Sequence, residues 1–122
     1  MDGPLAAASE LEVTSRRDGA FTVVALAGEL DMSTTSVLEE ALKDLDRPGA
    51  IVLDLADLTF VDSHGLRAIF GYAATRELVL VRPHPHVARV LALTRSDRVL
   101  RIEDTLETAL ATSNGSQRAQ RR

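Results

Sequence analysis

Three short apolar runs, Phe21 to Ala27, Ile51 to Leu55 and Leu78 to Val81, are separated by stretches whose apolar residues recur at helical spacing. That alternation constrains the chain more than any other feature, because sheet strands followed by covering helices are the economical way to bury both patterns in one layer fold. Before the first run, Leu11 and Val13 alternate with charged neighbours and Asp18-Gly19 supplies a turn, so the chain should open as a β-hairpin whose second strand ends near Gly28. Ser36 and Glu39 have capping-box spacing, and Val37, Leu38, Ala41, Leu42 and Leu45 form one helical stripe that Pro48 and Gly49 should end. Ile51 to Leu55, broken only by Asp54, suits a strand covered on both faces, and it continues through Thr59, Phe60 and Val61 into the turn Asp62, Ser63, His64, Gly65.

After that turn Leu66, Ile69, Phe70, Ala73 and Ala74 predict a second helix, and Leu78 to Val81 a buried parallel strand reached by a crossover. Val87, Val90 and Leu91 give a third helical face beyond Pro83 and Pro85, Val99 to Ile102 is a short strand candidate, and Leu106, Ala109 and Leu110 complete a last helix with Asp104 and Glu107 at capping-box spacing. The expected order is β, β, α, β, α, β, α, β, α. Residues 1–9 and the Arg-bearing stretch 112–122 read as flexible ends flanking one domain over 10–111.

Composition narrows the chemistry. The chain of 122 residues has a net charge of -4, and three of its fourteen basic residues, Arg118, Arg121 and Arg122, lie in the last five positions. The body is therefore acidic and should repel phosphate backbones and anionic lipid surfaces. With aromatics at 3%, there is little with which to stack bases, so no nucleic-acid partner is expected. The absence of cysteine removes disulfides, thiolate metal sites and cysteine nucleophiles. No apolar run is long enough to span a bilayer and Asp2 precedes no basic leader, so a cytoplasmic protein without membrane insertion is expected. His84 and His86 flank Pro85, but with no clearly placed third ligand they are taken as loop histidines, and no metal or cofactor is expected. Phosphate-loop, nucleophile-elbow and zinc-protease motifs are missing, so no enzymatic activity is expected.

The turn at residues 62–65 is the candidate functional centre. A strand-to-helix turn at the end of an α/β sheet is where ligands and partners are usually met, and the backbone N–H groups that open the next helix favour an anion. The plainer role for Asp62 or Ser63 is to cap that helix.

From Phe21 to Ala111 the chain resembles a STAS domain, the family of anti-sigma factor antagonists, stressosome components and transporter-associated modules. The resemblance is carried by Gly28-Glu29-Leu30-Asp31 before the first helix, by Ile51 to Leu55 with Thr59-Phe60-Val61-Asp62-Ser63, by Gly65-Leu66, by Leu80-Val81-Arg82-Pro83, and by Val90-Leu91 with Leu93-Thr94. It implies an α/β fold with a small mixed sheet, an N-terminal β-hairpin and about four helices. It also implies a partner surface around Asp31, Asp62, Ser63, His64, Gly65 and Leu66, facing an anti-sigma factor of the serine-kinase type.

In the antagonist branch the turn reads Asp-Ser-Ser-Gly, and the partner kinase phosphorylates the second serine. Here that position is His64, so the resemblance implies docking without the usual seryl switch. Ser63 is the alternative acceptor, one residue out of place for a docked kinase, and a His64 nitrogen is a further one. A regulatory subunit of a transporter or stressosome complex is the alternative function, and a small nucleotide-binding or catalytic protein the third.

Overall fold

The computed structural model describes residues 10–45 and 49–111. The expected flexible ends 1–9 and 112–122, and Pro48 at the end of the first helix, lie outside the described residues. Five strands form one sheet in the order β1 (Leu11–Asp18), β2 (Phe21–Leu30), β3 (Ile51–Val61), β4 (Leu78–Val81) and β5 (Arg101–Glu103). Only β1 runs antiparallel to its neighbour, completing the hairpin; the other three pairings are parallel. The parallel connections carry α1 (Thr35–Lys43), α2 (Ser63–Ala73) and α3 (Pro85–Leu93), the last followed by a 3-10 turn at Ser96–Arg98. A fourth helix, α4, occupies residues 106–111.

Side-chain alternation sorts the strands into two cores. Val24 and Leu26, Ile51, Leu53 and Leu55, and Leu78 and Leu80 face α1, α2 and α3 in one cluster that includes Leu38, Leu42, Leu66, Ile69, Val87 and Leu91. The intervening Val23, Val52, Val79 and Val81 face the other way and are covered by Ala109, with Leu106 and Leu110 packed alongside. Both sheet faces are therefore buried at the centre, which is why Ile51 to Leu55 and Leu78 to Val81 are almost wholly apolar. Asp54, the exception in β3, forms an ion pair with Arg82: the guanidinium Nε donates to Asp54 Oδ1 at 3.2 Å and one terminal nitrogen donates to Oδ2. The same Oδ1 accepts the Ala56 N–H at 3.1 Å, and Asp54 holds the Arg82 pKa above its ordinary value.

β3 is longer than its apolar run and irregular for a reason visible in its residues. Against β2 it gains one extra residue opposite Ala25 to Ala27 and another opposite Gly28 to Glu29. Strict alternation after Leu55 would point Asp57 and Thr59 into the core. The first shift turns Leu58 inward instead, the second restores Val61, and all three apolar residues are buried.

Four expectations need correction. β2 continues past Gly28 to Leu30, because Gly28 at φ 114° bends the strand without ending it. The first helix starts at Thr35, before Ser36, so the Ser36 and Glu39 spacing is not a capping box. The final strand is Arg101–Glu103, not Val99 to Ile102: the 3-10 turn bonds Val99 N–H and Leu100 N–H to the Ser96 carbonyl and leaves Val99 74% exposed. At α4 the cap is Thr105, whose hydroxyl oxygen accepts the Thr108 N–H at 3.0 Å, rather than Asp104.

Gly28 also sets the hairpin's open end. A side chain there would bring its Cβ to 2.0 Å from the Glu10 carbonyl oxygen, the atom that accepts the Glu29 N–H at 2.7 Å. Gly28→Ala combines a positive-φ penalty with a backbone clash, and a loss of about 2–4 kcal/mol is expected. Urea unfolding followed by circular dichroism measures it; a midpoint within error of the parent would contradict this account of the hairpin.

Candidate functional site

The candidate site is assembled by the last residues of β2 and β3. Leu30 pairs with Val61, so the segments that leave these strands, beginning at Asp31 and Asp62, emerge side by side from the same end of the sheet. The Leu30 carbonyl accepts the Asp62 N–H at 3.2 Å and ties the two exits together. Gly65 then makes their close packing possible. A Cβ on Gly65 would fall 2.7 Å from the Leu30 carbonyl oxygen, 2.8 Å from Leu30 Cγ and 2.9 Å from Val61 Cγ2.

Asp62 takes the capping role. Its Oδ1 accepts the Gly65 N–H at 2.9 Å, and its carbonyl accepts the Leu66 N–H at 2.9 Å, which starts α2. The second carboxylate oxygen, Oδ2, lies 3.6 Å from His64 Nδ1. One side chain thus terminates the strand-to-helix turn and flanks the imidazole. Ser63 and His64 are exposed on the first turn of α2, His64 with 53% of its side chain accessible, whereas Gly65 and Leu66 are buried beneath them. The outward chemistry of the turn therefore belongs to Ser63 and His64, and Gly65 and Leu66 hold it in place.

Asp31 is organised as tightly. Its Oδ1 accepts the Ser33 hydroxyl at 2.7 Å and the Ser33 N–H at 3.0 Å, while the Thr34 hydroxyl oxygen accepts the Asp31 N–H at 2.9 Å and donates to the Glu29 carbonyl at 2.8 Å. Hydrogen bonds to the carboxylate, from the Ser33 hydroxyl first and then from the Ser33 N–H and Thr34, hold the Asp31 carboxyl below the usual aspartate range. The loop they fix exposes Met32, 68% accessible, beside the turn's strand partner. Glu10, Glu29 and Asp31 each bring a carboxylate oxygen within 4.8 Å of the others, a grouping that could accept a cation. The hydrogen bond and like charge of Glu10 push Glu29 upward, and exposed acids of this kind commonly stand without an ion.

One ring contact near the turn and one groove were not signalled by the sequence. Phe60, pointed outward by the second β3 shift, stacks on His86 with ring centroids 6.1 Å apart and planes 18° from parallel. His84 is engaged at the start of α3, where its Nδ1 accepts the His86 N–H at 3.3 Å. The expectation of two loop histidines is corrected for His86, which lies in the first turn of α3 and makes the aromatic contact, while His84 caps that helix because Pro85 starts it. Between α1 and α2 a groove of about 540 Å³ opens, bounded at one end by His64. Nothing in the spacing of either helix announces it, since each shows only the stripe that it buries.

The comparisons bear on the family and the fold. Residues 13–108 match the family model described as "Mlab, STAS domain". The chain is 30% identical over 120 residues to the anti-sigma-F factor antagonist RsfB of Mycobacterium tuberculosis, covering 91% of this chain and 96% of that protein. Among solved structures it is similar to an anti-sigma factor antagonist from Mycobacterium paratuberculosis, at a TM-score of 0.78 and 28% identity over 84% of this chain and 92% of the other. The anti-sigma factor antagonist SpoIIAA in its unphosphorylated form shares the fold at a TM-score of 0.66 and 21% identity, covering 85% of this chain and 97% of that one. With a mixed sheet opened by a hairpin, four helices and a family match across nearly the whole described chain, this protein belongs to the STAS domain family.

Proposed function

We propose that the chain is an anti-sigma factor antagonist, a binding regulator without catalysis of its own. It docks the paired exits of β2 and β3 onto an anti-sigma factor of the serine-kinase type and carries no seryl switch at position 64. The similarity to RsfB and to the Mycobacterium paratuberculosis antagonist supports the class of function. The observation that carries the site is the pairing of Leu30 with Val61, which sets the fixed Asp31 loop and the exposed Ser63 and His64 next to each other at one sheet end. No helix among the described residues is long and apolar enough to cross a membrane. The proposed place of action is the cytoplasm, where sigma factors work.

The mechanism is competition between binding equilibria. An antagonist that occupies the anti-sigma factor releases the sigma factor, and each 1.4 kcal/mol of docking free energy moves that competition about tenfold. A phosphate added at the turn would bring a charge of about -1.5 to -2 beside the Asp62 carboxylate, enough to reverse the competition through repulsion and desolvation. With an imidazole at position 64, a kinase that transfers the γ-phosphate of ATP to a serine hydroxyl finds no such nucleophile at the usual place. Binding then continues in the presence of ATP.

The test is to capture the anti-sigma partner from source cells with the native chain and with His64→Ser, add ATP, and follow phosphorylation and retention. The native chain should hold the kinase unmodified, while the serine variant should be phosphorylated and released. Native phosphorylation abolished by Ser63→Ala would overturn the switch-free mechanism, and a captured transport complex with no anti-sigma factor would overturn the antagonist function.

Asp62 separates folding from docking. Asp62→Ala should cost about 1 kcal/mol in urea unfolding through the lost cap. Asp62→Asn keeps the oxygen acceptor and should cost a few tenths, while removing the negative charge beside His64. If alanine and asparagine destabilise equally, the carboxylate acts through something other than the Gly65 N–H.

A further inference from the structure

β1 lies at the edge of the sheet and, among the described residues, pairs on one side only, with β2. Proteins usually blunt such an edge with a short strand, a proline or a bulge. β1 has none of these: it runs for eight residues, Leu11–Asp18, without proline and in unbroken register on β2. Glu12, Thr14, Ser15, Arg16 and Arg17 are all exposed along it.

The ladder fixes which backbone groups are left to pair. The Glu29 N–H donates to the Glu10 carbonyl, and the register holds constant from Leu11 opposite Gly28 to Asp18 opposite Phe21. Antiparallel strands alternate hydrogen-bonded and open pairs, so the even-numbered residues of β1 turn their N–H and C=O groups toward β2, while Val13, Ser15 and Arg17 turn theirs away from the sheet. A second β1 laid antiparallel along this edge, with Thr14 on the two-fold axis, sets Val13 opposite Ser15 of the copy as a hydrogen-bonded pair. The same register makes Glu12 and Arg16 of the copy an open pair, in which Cα atoms approach to about 4.5 Å and side chains are closest. No other antiparallel register opposes these two residues, and the two-fold axis forms the pair twice. The edge is therefore complementary to itself in backbone and in charge. Arg16 at present faces Asp18 at 3.4 Å with both side chains exposed, a pairing that contributes little and is readily exchanged. The one like-charge approach, Asp18 toward the copy's Glu10, falls at the ends of the ladder, where Glu10 lies outside the strand.

We propose that the chain self-associates through β1 into a two-fold dimer with one continuous sheet, held by the Val13 and Ser15 backbone pairs and by Glu12 and Arg16 across the axis. A contact of two strands is small beside a permanent interface, so the dimer forms and dissociates with concentration. It is independent of the docking function proposed above: the edge runs along the side of the sheet, whereas Ser63 and His64 stand at the ends of its strands.

The second copy is its own probe. Sedimentation equilibrium of the full chain from about 10 μM to about 1 mM, the range over which a small interface populates, should show the mass rising toward twice that of the monomer. Added salt should weaken the association. Arg16→Glu and Glu12→Arg should each lower the association constant at least tenfold with an unchanged circular dichroism spectrum. An equimolar mixture of the two variants should associate again, because every facing pair in the mixed dimer is once more an acid and a base. Should either variant unfold, Ser15→Pro, which removes an outward N–H and leaves the ladder to β2 intact, should lose at least tenfold. Protection of the Val13 and Ser15 amides that grows with concentration in hydrogen exchange locates the contact on this edge. A monomer across the whole range overturns the proposal, whether the edge is then left to water or taken by a strand of another protein. So does association that the folded charge variants leave unchanged or that their mixture fails to restore. Because none of these readouts involves an anti-sigma factor, their failure leaves the antagonist function untouched, and failure of that function leaves them standing.

Discussion

The candidate site depends on how β2 and β3 stay in step over their last six residues. Two extra residues in β3 keep Leu58 and Val61 in the core and bring Leu30 opposite Val61. Everything at that end of the sheet then follows from Leu30. Its carbonyl accepts the Asp62 N–H, its side chain and carbonyl exclude a Cβ from position 65, and the next residue begins the Asp31 loop. The outward groups of the turn are exposed, but their geometry is set by Leu30, which is wholly buried. Burial of a side chain such as Leu30 contributes about 1.5–3 kcal/mol, more than an exposed hydrogen bond usually does, so the site borrows its rigidity from the core.

Much of this was legible in the residues because hydrophobic periodicity is a direct record of burial. Strict alternation in Leu78 to Val81 assigns two residues to each core, and the helical stripes at Leu38 and Leu42, Leu66 and Ile69, and Val87 and Leu91 name the faces that α1, α2 and α3 bury. The misjudged boundaries share a cause. At Val99 to Ile102 an apolar run looks like a strand, yet sheet membership is decided by backbone pairing with Val79, Leu80 and Val81, which selects Arg101 to Glu103. At Thr105 and Asp104 two adjacent residues can both cap, and only the backbone path selects one. The three-residue spacing of Leu55, Leu58 and Val61 was the visible trace of the β3 irregularities. The Phe60 contact with His86 and the groove between α1 and α2 left no such trace, since both join elements whose relative placement no local pattern encodes.

Asp62 shows how one residue can hold a structural and a chemical position at once. Its two carboxylate oxygens are divided, one on the Gly65 N–H and one toward His64. Capping alone would leave the second oxygen to solvent, so the capping role and a place beside His64 do not compete here. The histidine at 64 stands at a helix start, where the positive end of the dipole disfavours a cation and favours an anion. A carboxylate already in that position offsets the dipole and leaves less of it for a phosphate.

The sheet order has a consequence for how the chain acquires its structure. Strands lie in the sheet in the order in which they are synthesised, from β1 to β5, so each new strand is laid against one already made. Parallel sheets usually fold slowly, because distant segments must find each other before any contact rewards the lost entropy. Here each closure spans only one connecting helix. As the chain leaves the ribosome, the hairpin can serve as the template for β3, and β3 for β4, before the C-terminal segments exist. The surface built at the ends of β2 and β3 is thus completed once the turn after Val61 and the start of α2 have been made, well before α4 arrives to seal the opposite face of the sheet.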